Sequence, residues 1–136
     1  MTHHEAGNIL IADDEPAMRQ LLSSVLRSHG YRSICTAADG QQAIDLFGRD
    51  DCRIDLAFID LNMPGFGGLE VIAMAKTLRP CCYCVVVSGN SDLSNVMAAI
   101  QGGARGFIVK PYTAAKISDM LEKYTRDMAA ARPARD

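Results

Sequence analysis

A three-layer α/β sandwich is the architecture this sequence predicts, and three observations carry it. Five short apolar runs rich in β-branched residues recur along the chain, amphipathic stretches separate them, and the runs start at residues 8, 31, 54, 83 and 106. That spacing is the length a strand, a helix and two short loops need. Near-continuous apolar strands alternating with amphipathic helices imply a parallel sheet covered on both faces and joined by right-handed crossovers. No self-similarity of sequence accompanies the period, which excludes a solenoid.

The first strand, NILIA (8–12), runs straight into Asp13, Asp14 and Glu15. Pro16 suits the first turn of a helix, and Met18, Leu21, Leu22 and Val25 then recur at helical spacing. The second strand is YRSICTA (31–37), followed by a helix marked by Ala43, Leu46 and Phe47. The third is IDLAFID (54–60), with Leu69, Ile72, Ala73 and Lys76 on the helix after it. YCVVVS (83–88) precedes Val96, Met97 and Ile100. GFIVK (106–110) precedes the clearest helix, with Ile117, Met120, Leu121, Tyr124 and Met128 on one face. After Met128 the periodicity ends, and Pro133 would halt any helix. The expected partition is a flexible start at 1–7, one folded domain at 8–128 and a disordered tail at 129–136.

Composition narrows the class. The 136 residues suit one domain with a proper core, and 49% apolar with 22% charged residues is a globular balance. No apolar run approaches the ~20 residues of a membrane span. The start MTHHEAGN lacks a basic, apolar and small-residue leader pattern, so a cytoplasmic location is expected. Five cysteines, an odd number scattered through strands and loops, argue for reduced thiols over a disulfide framework. CCYC (81–84) lacks paired CxxC spacing, and Cys82 and Cys84 would share one strand face as small buried residues, not zinc ligands. His3 and His4 have no third ligand in view. Fourteen basic against sixteen acidic residues give a net charge of −2 with no basic stripe, which disfavours direct nucleic-acid binding.

Ligands of an open parallel sheet gather outside the carboxyl ends of its strands. At those ends stand Asp13 and Asp14, Asp60, Ser88, and Lys110 before Pro111. Each has an ordinary alternative: Asp14 a helix cap, Asp60 a turn residue, Ser88 a loop starter, Lys110 an exposed charge. Capping leaves Asp13 without a task, however, and the fold would bring all these groups to one rim. Three carboxylates around one point are costly unless a cation sits among them, and oxygen ligands with a few waters suit Mg²⁺. Asp13, Asp14 and Asp60 against Mg²⁺ and Lys110 would give a neutral site able to receive a phosphoryl group. Aspartate is a known nucleophile toward phosphorus.

Four motifs, ILIADDEP, FIDLNMPGFGGLE, VVVSGN and GGARGFIVKPY, stand in an order and spacing that resemble the receiver domains of two-component response regulators, the chemotaxis regulator among them. The resemblance covers about residues 8 to 126. It implies a doubly wound, flavodoxin-like sheet of order 2-1-3-4-5. It makes Asp60 the phosphoacceptor, Asp14 a direct Mg²⁺ ligand, Asp13 a water-mediated one, and the Asn62 carbonyl a further ligand. Lys110 would contact the phosphoryl group through a chain whose Lys110–Pro111 bond is cis. Ser88 and Phe107 would be the switch pair, the hydroxyl moving onto the phosphoryl oxygen as the ring turns inward.

The implied function is a single-domain response regulator, phosphorylated by a histidine kinase or phosphotransfer protein, whose only chemistry is its own phosphorylation and dephosphorylation. Its target would dock on the face of helix four, strand five and helix five. A phosphorelay intermediate, or a receiver cut from a larger regulator, are the alternatives. Two departures stand out. Gly67 replaces an acid often found before the glycine ahead of helix three, which suggests a looser loop, and Phe107 replaces the tyrosine of the chemotaxis type. A haloacid-dehalogenase-like hydrolase would need its two aspartates after strand one in the pattern DxD, and no segment is long enough for a cap. A flavodoxin-like carrier would need a phosphate loop where Asp13, Asp14 and Glu15 would repel the ligand. A degenerate receiver would lack one of five key residues that are all present.

Overall fold

The computed structural model describes residues 8–89, 93–110 and 112–131. The expectations for the flexible start, for His3 and His4, for the Lys110–Pro111 bond and for Pro133 lie outside the described residues. Within them the order is β1 (Asn8–Ala12), α1 (Pro16–Ser28), β2 (Ile34–Ala37), α2 (Gly40–Phe47), β3 (Ile54–Asp60), α3 (Gly68–Leu78), β4 (Tyr83–Ser88), α4 (Leu93–Gln101), β5 (Gly106–Val109) and α5 (Ala114–Ala131). The strands form one parallel sheet of order β2-β1-β3-β4-β5. No described helix is long and apolar enough to cross a membrane.

The pleat sends alternate residues to opposite faces, and each face has its own core. Ile9, Ile11, Leu56, Phe58, Val85, Val87 and Ile108 pack with Leu22, Val25 and Leu26 of α1 and with Ile117, Met120 and Leu121 of α5. Leu10, Ala12, Ala57, Ile59, Cys84 and Val86 pack with Ala43 and Phe47 of α2, Val71, Ile72 and Ala75 of α3, and Ala99 of α4. Both faces of the sheet are covered, which leaves its strand ends as open rims.

Several boundaries and faces differ from expectation. Strand β2 begins at Ile34, not Tyr31, because the ring of Tyr31 is buried in the α1–α5 layer and the chain joins the ladder only where Ile9 N donates to Ser33 O. Helix α3 buries Gly68, Val71, Ile72 and Ala75, while Leu69 is exposed. Its rotation is set at Gly68, where an added Cβ would lie 2.5 Å from the Asp60 carbonyl oxygen. The residues three, four and seven along from that close approach must face the sheet. On α4, Val96 and Ala99 are buried but Met97 (58%) and Ile100 (42%) face solvent, so the buried face is turned away from the stripe of larger apolar residues. Met128 is likewise exposed. Ala129, Ala130 and Ala131, expected to belong to the tail, continue α5 instead, alanine being the strongest helix former, and the rest of that expectation lies outside the described residues.

Candidate functional site

The carboxyl ends of β1 and β3 lie side by side, with Ala12 paired to Ile59. Asp13 and Asp60 therefore leave adjacent strands at one level, both buried, and Asp14 follows at the surface. One oxygen from each of the three lies within 4.8 Å of the others. An open cleft of about 480 Å³ sits over them, lined by Asp14, Glu15, Met18, Asp60, Asn62, Gly89 and Lys110.

Lys110 is the cation of this cluster. The Lys110 N–H donates to the Ser88 carbonyl at 2.7 Å, continuing the β4–β5 ladder by one residue, which aims the side chain at the rim. Its ammonium lies 3.0 Å from Asp13 Oδ2, 3.0 Å from Glu15 Oε1 and 3.2 Å from Asp60 Oδ2. Burial works against its charge, but hydrogen bonds to Asp13 and Glu15 and the charges of Asp60 and Asp13 outweigh that and hold its pKa above the usual lysine value. Asp60 shows the converse. Burial pushes its pKa up, the Asn62 N–H at 3.1 Å pulls it down, the charge of Asp13 raises it and Lys110 opposes that rise.

The two aspartates of the first strand are not equivalent. Asp13 Oδ1 accepts from the Glu15 N–H at 2.9 Å and Oδ2 from the Tyr112 hydroxyl at 3.3 Å, with Lys110 reaching both oxygens. Its carbonyl accepts from Arg19 Nη1 at 2.7 Å. Asp13 is thus held in place by protein donors and has little room for a direct ligand. Asp14 is exposed on the cleft wall. It is not the helix cap either: the N-cap of α1 is Glu15, and no side chain caps that end. An exposed carboxylate beside two fixed ones is a hard-oxygen donor set that fits a divalent cation with some of its waters retained.

Asn62 lines the cleft, Ser88 is buried beneath its rim with Gly89 lining it, and Phe107 stands apart on β5, 46% exposed. The connection after Asp60, expected to be loose, is tied by the Gly68 N–H to the Leu61 carbonyl and by the Gly67 N–H to the Glu70 carboxylate at 2.9 Å. Glu70 does from within the helix what a side chain at position 67 would otherwise share. Two contributors went unread in the sequence. Glu15 is one of three carboxylates paired with Lys110, and with Asp14 the acids at this rim number four where the sequence tally had three. Tyr112, two residues past Lys110, is the buried hydroxyl on Asp13; a lone aromatic after KP carries no signal that its oxygen turns back to the rim.

The sequence model described as the response regulator receiver domain matches residues 9–122. The chain belongs to the receiver domains of response regulators. Among curated relatives, the chemotaxis protein CheY of Listeria monocytogenes is 30% identical over 115 residues, 85% of this chain and 95% of that one. Sporulation initiation phosphotransferase F of Bacillus subtilis is 30% identical over 116 residues, 85% and 91% of the two chains. Among solved structures, the Borrelia burgdorferi CheX–CheY–BeF3–Mg²⁺ complex superposes with a TM-score of 0.81 at 27% identity, covering 88% of this chain and 89% of that one. A CheY-like receiver domain protein from Methanospirillum hungatei gives 0.79 at 27%, with 91% and 94% covered. Receiver domains bind Mg²⁺ at their acidic pocket, and the donor set formed by Asp13, Asp14 and Asp60 is of that kind.

Proposed function

We propose that this receiver domain accepts a phosphoryl group on Asp60 from a histidine kinase or a histidine phosphotransfer protein. The observation that carries this is the position of Asp60. It is the one buried carboxylate that lines the open cleft among the described residues, and its two oxygens are divided between the Asn62 N–H and the Lys110 ammonium. In the transfer an Asp60 oxygen attacks phosphorus, the phosphorus–nitrogen bond of the donor imidazole breaks, and an acyl phosphate results. Asp14 and the Asn62 carbonyl, with Asp13 through a water, would hold Mg²⁺, which supplies charge neutralisation of the phosphoryl oxygens when bound. Lys110, already poised between Asp60 and Glu15, would move its hydrogen bonds onto the incoming phosphoryl group.

Output follows from the same rim. Ser88 ends β4 next to the cleft, Phe107 is exposed on β5, and Met97 and Ile100 are exposed on α4. A hydroxyl drawn onto a phosphoryl oxygen and a ring turned inward would change the face of α4, β5 and α5, where a protein target is proposed to dock. Likeness to the sporulation phosphotransferase keeps a second reading in play, in which Asp60 passes its phosphoryl group on to a histidine protein.

The test is labelling by a small acyl phosphate donor with Mg²⁺, followed by incubation with a phosphotransfer protein. Label on the wild type and none on Asp60→Asn is expected. Undiminished labelling of that variant removes Asp60 as the acceptor.

A further inference from the structure

On the side of the domain away from β5, two thiols meet. Cys35 sits on the edge strand β2, and Cys52 in the irregular connection between α2 and β3. Their sulfurs are 3.6 Å apart although 17 positions separate them in sequence. Both are half-buried and packed against the α2–α3 core, so solvent reaches them only in part. Neither residue belongs to the acidic cleft.

We propose that Cys35 and Cys52 are a redox-active pair that closes to an intramolecular disulfide when the chain meets a hydroperoxide. A disulfide needs the sulfurs to approach to about 2.05 Å, a movement that rotation about the Cα–Cβ bonds can supply where one partner lies in a connection rather than a ladder. The neighbouring Arg49 guanidinium acts electrostatically on both sulfurs. Burial and the adjacent Cys52 thiol push the Cys35 thiol up to about 11, which disfavours its thiolate and leaves it the resolving partner.

The Cys52 thiolate takes the terminal oxygen of the hydroperoxide, the O–O bond breaks, and the alcohol or water leaves with Cys52 as a sulfenic acid. Cys35 sulfur then attacks Cys52 sulfur, the S–O bond breaks, and hydroxide departs as water with the Cys35 proton. Two thiols and one hydroperoxide thus give one disulfide, one alcohol or water, and one further water. The closed loop contains α2, whose first residue, Gly40, lies with its backbone against that of Phe66 in the connection after Asp60. Cross-linking would therefore stiffen the segment that abuts that connection.

The full chain would be treated with a small excess of hydrogen peroxide, its remaining thiols alkylated, and the product digested with trypsin without reduction. The expected result is an intact chain lighter by two hydrogens that yields peptide Ser33–Arg49 linked to Asp50–Arg53. A thermal midpoint raised by several degrees and returned by a dithiol reductant should accompany it, because the closed loop restricts the unfolded chain. A chain with Cys81, Cys82 and Cys84 all replaced by serine should behave the same, and Cys52→Ser should lose both effects. Sulfinic acid on Cys52 with Cys35 still open to alkylation would overturn the proposal. So would linkage of either cysteine to Cys81, Cys82 or Cys84, or a cross-link between chains. The peptide map of the wild type decides this even if a variant folds poorly.

Discussion

The molecule carries two clusters of charge, one at each end of its sheet, and they are built to opposite rules. At the carboxyl end four carboxylates gather, of which Asp13, Glu15 and Asp60 share the single ammonium of Lys110 and Asp14 stands beside Asp13 and Asp60. At the amino end of β4 the hydroxyl of Tyr83 donates to Asp127 Oδ2 at 2.5 Å, Lys123 lies 2.7 Å from the same oxygen, and Arg105 stacks over the Tyr83 ring at 4.9 Å. There one acid meets two cations, and Lys123 also donates to the Arg105 carbonyl. The second cluster is satisfied by the protein alone and pins α5 to the sheet. The first is left in excess of negative charge, which costs stability unless something from outside completes it. An imbalance fixed in place by buried donors marks a binding site more reliably than any one of its residues.

The most severe break of the comparison is at Asp60. Asp60→Asn should abolish phosphoryl labelling altogether, whereas Tyr83→Phe should label like the wild type, since the amino-end cluster takes no part in the chemistry. Loss of labelling in both variants would mean that the two ends are not independent. Next in size is the metal. Mg²⁺ that binds only the folded chain should stabilise it by roughly 2.7 kcal/mol at a hundredfold excess over its dissociation constant. Asp14→Ala should erase that gain and leave the metal-free midpoint unchanged or slightly higher, because a repelling charge has gone and no cap is lost. Thermal melts with and without Mg²⁺ measure both. A metal-independent fall in the Asp14→Ala midpoint would make Asp14 a structural residue. Coupling through the switch pair comes third: Ser88→Ala should keep labelling yet lose most of a phosphorylation-dependent gain in target affinity of ~1–3 kcal/mol, read by titration.

The two ends also differ in how far they could be read beforehand. Strand periodicity placed β1, β3 and β4 to the residue, because a strand buried on both faces is a run of apolar residues with sharp polar ends. Those polar ends meet at the acidic cleft, so the gathering of Asp13, Asp14, Asp60 and Lys110 was legible from position alone. Hydrogen bonds that turn back on the chain were not. Glu15 read as a helix-start acid, and the Tyr112 hydroxyl on Asp13 has no counterpart in any spacing rule. Helix faces failed where the buried side is turned from the larger apolar residues, as on α4, or where rotation was fixed by a close backbone approach, as at Gly68 on α3. The amino-end cluster was invisible because Tyr83 lies on β4, Arg105 in the connection before β5, and Lys123 and Asp127 on α5, and each is an ordinary residue there.

The smallest expected effect tests whether that cluster is as self-sufficient as its balance suggests. Tyr83 is buried, and burial foremost, with the hydrogen bond to Asp127, raises its pKa, so the phenol stays a neutral donor through the physiological range. Tyr83→Phe removes one hydrogen bond and keeps the ring against Tyr124, which should cost about 1 kcal/mol in denaturant unfolding. The hydrogen bonds from Lys123 and then Tyr83 hold the Asp127 carboxyl below its ordinary 3.8. A carboxylate with a lowered folded-state pKa stabilises the fold above the unfolded value, and the contribution is lost as pH falls through the folded value. The difference in stability between wild type and Asp127→Asn should therefore be constant at neutral pH and close as the pH drops below about 4, in step with protonation of an unfolded aspartate. Mg²⁺ should not alter that difference, since the ligands proposed for the ion lie at the other end of the sheet. A difference that persisted undiminished into strong acid, or that changed with Mg²⁺, would show that Asp127 acts through something other than its bonds to Lys123 and Tyr83.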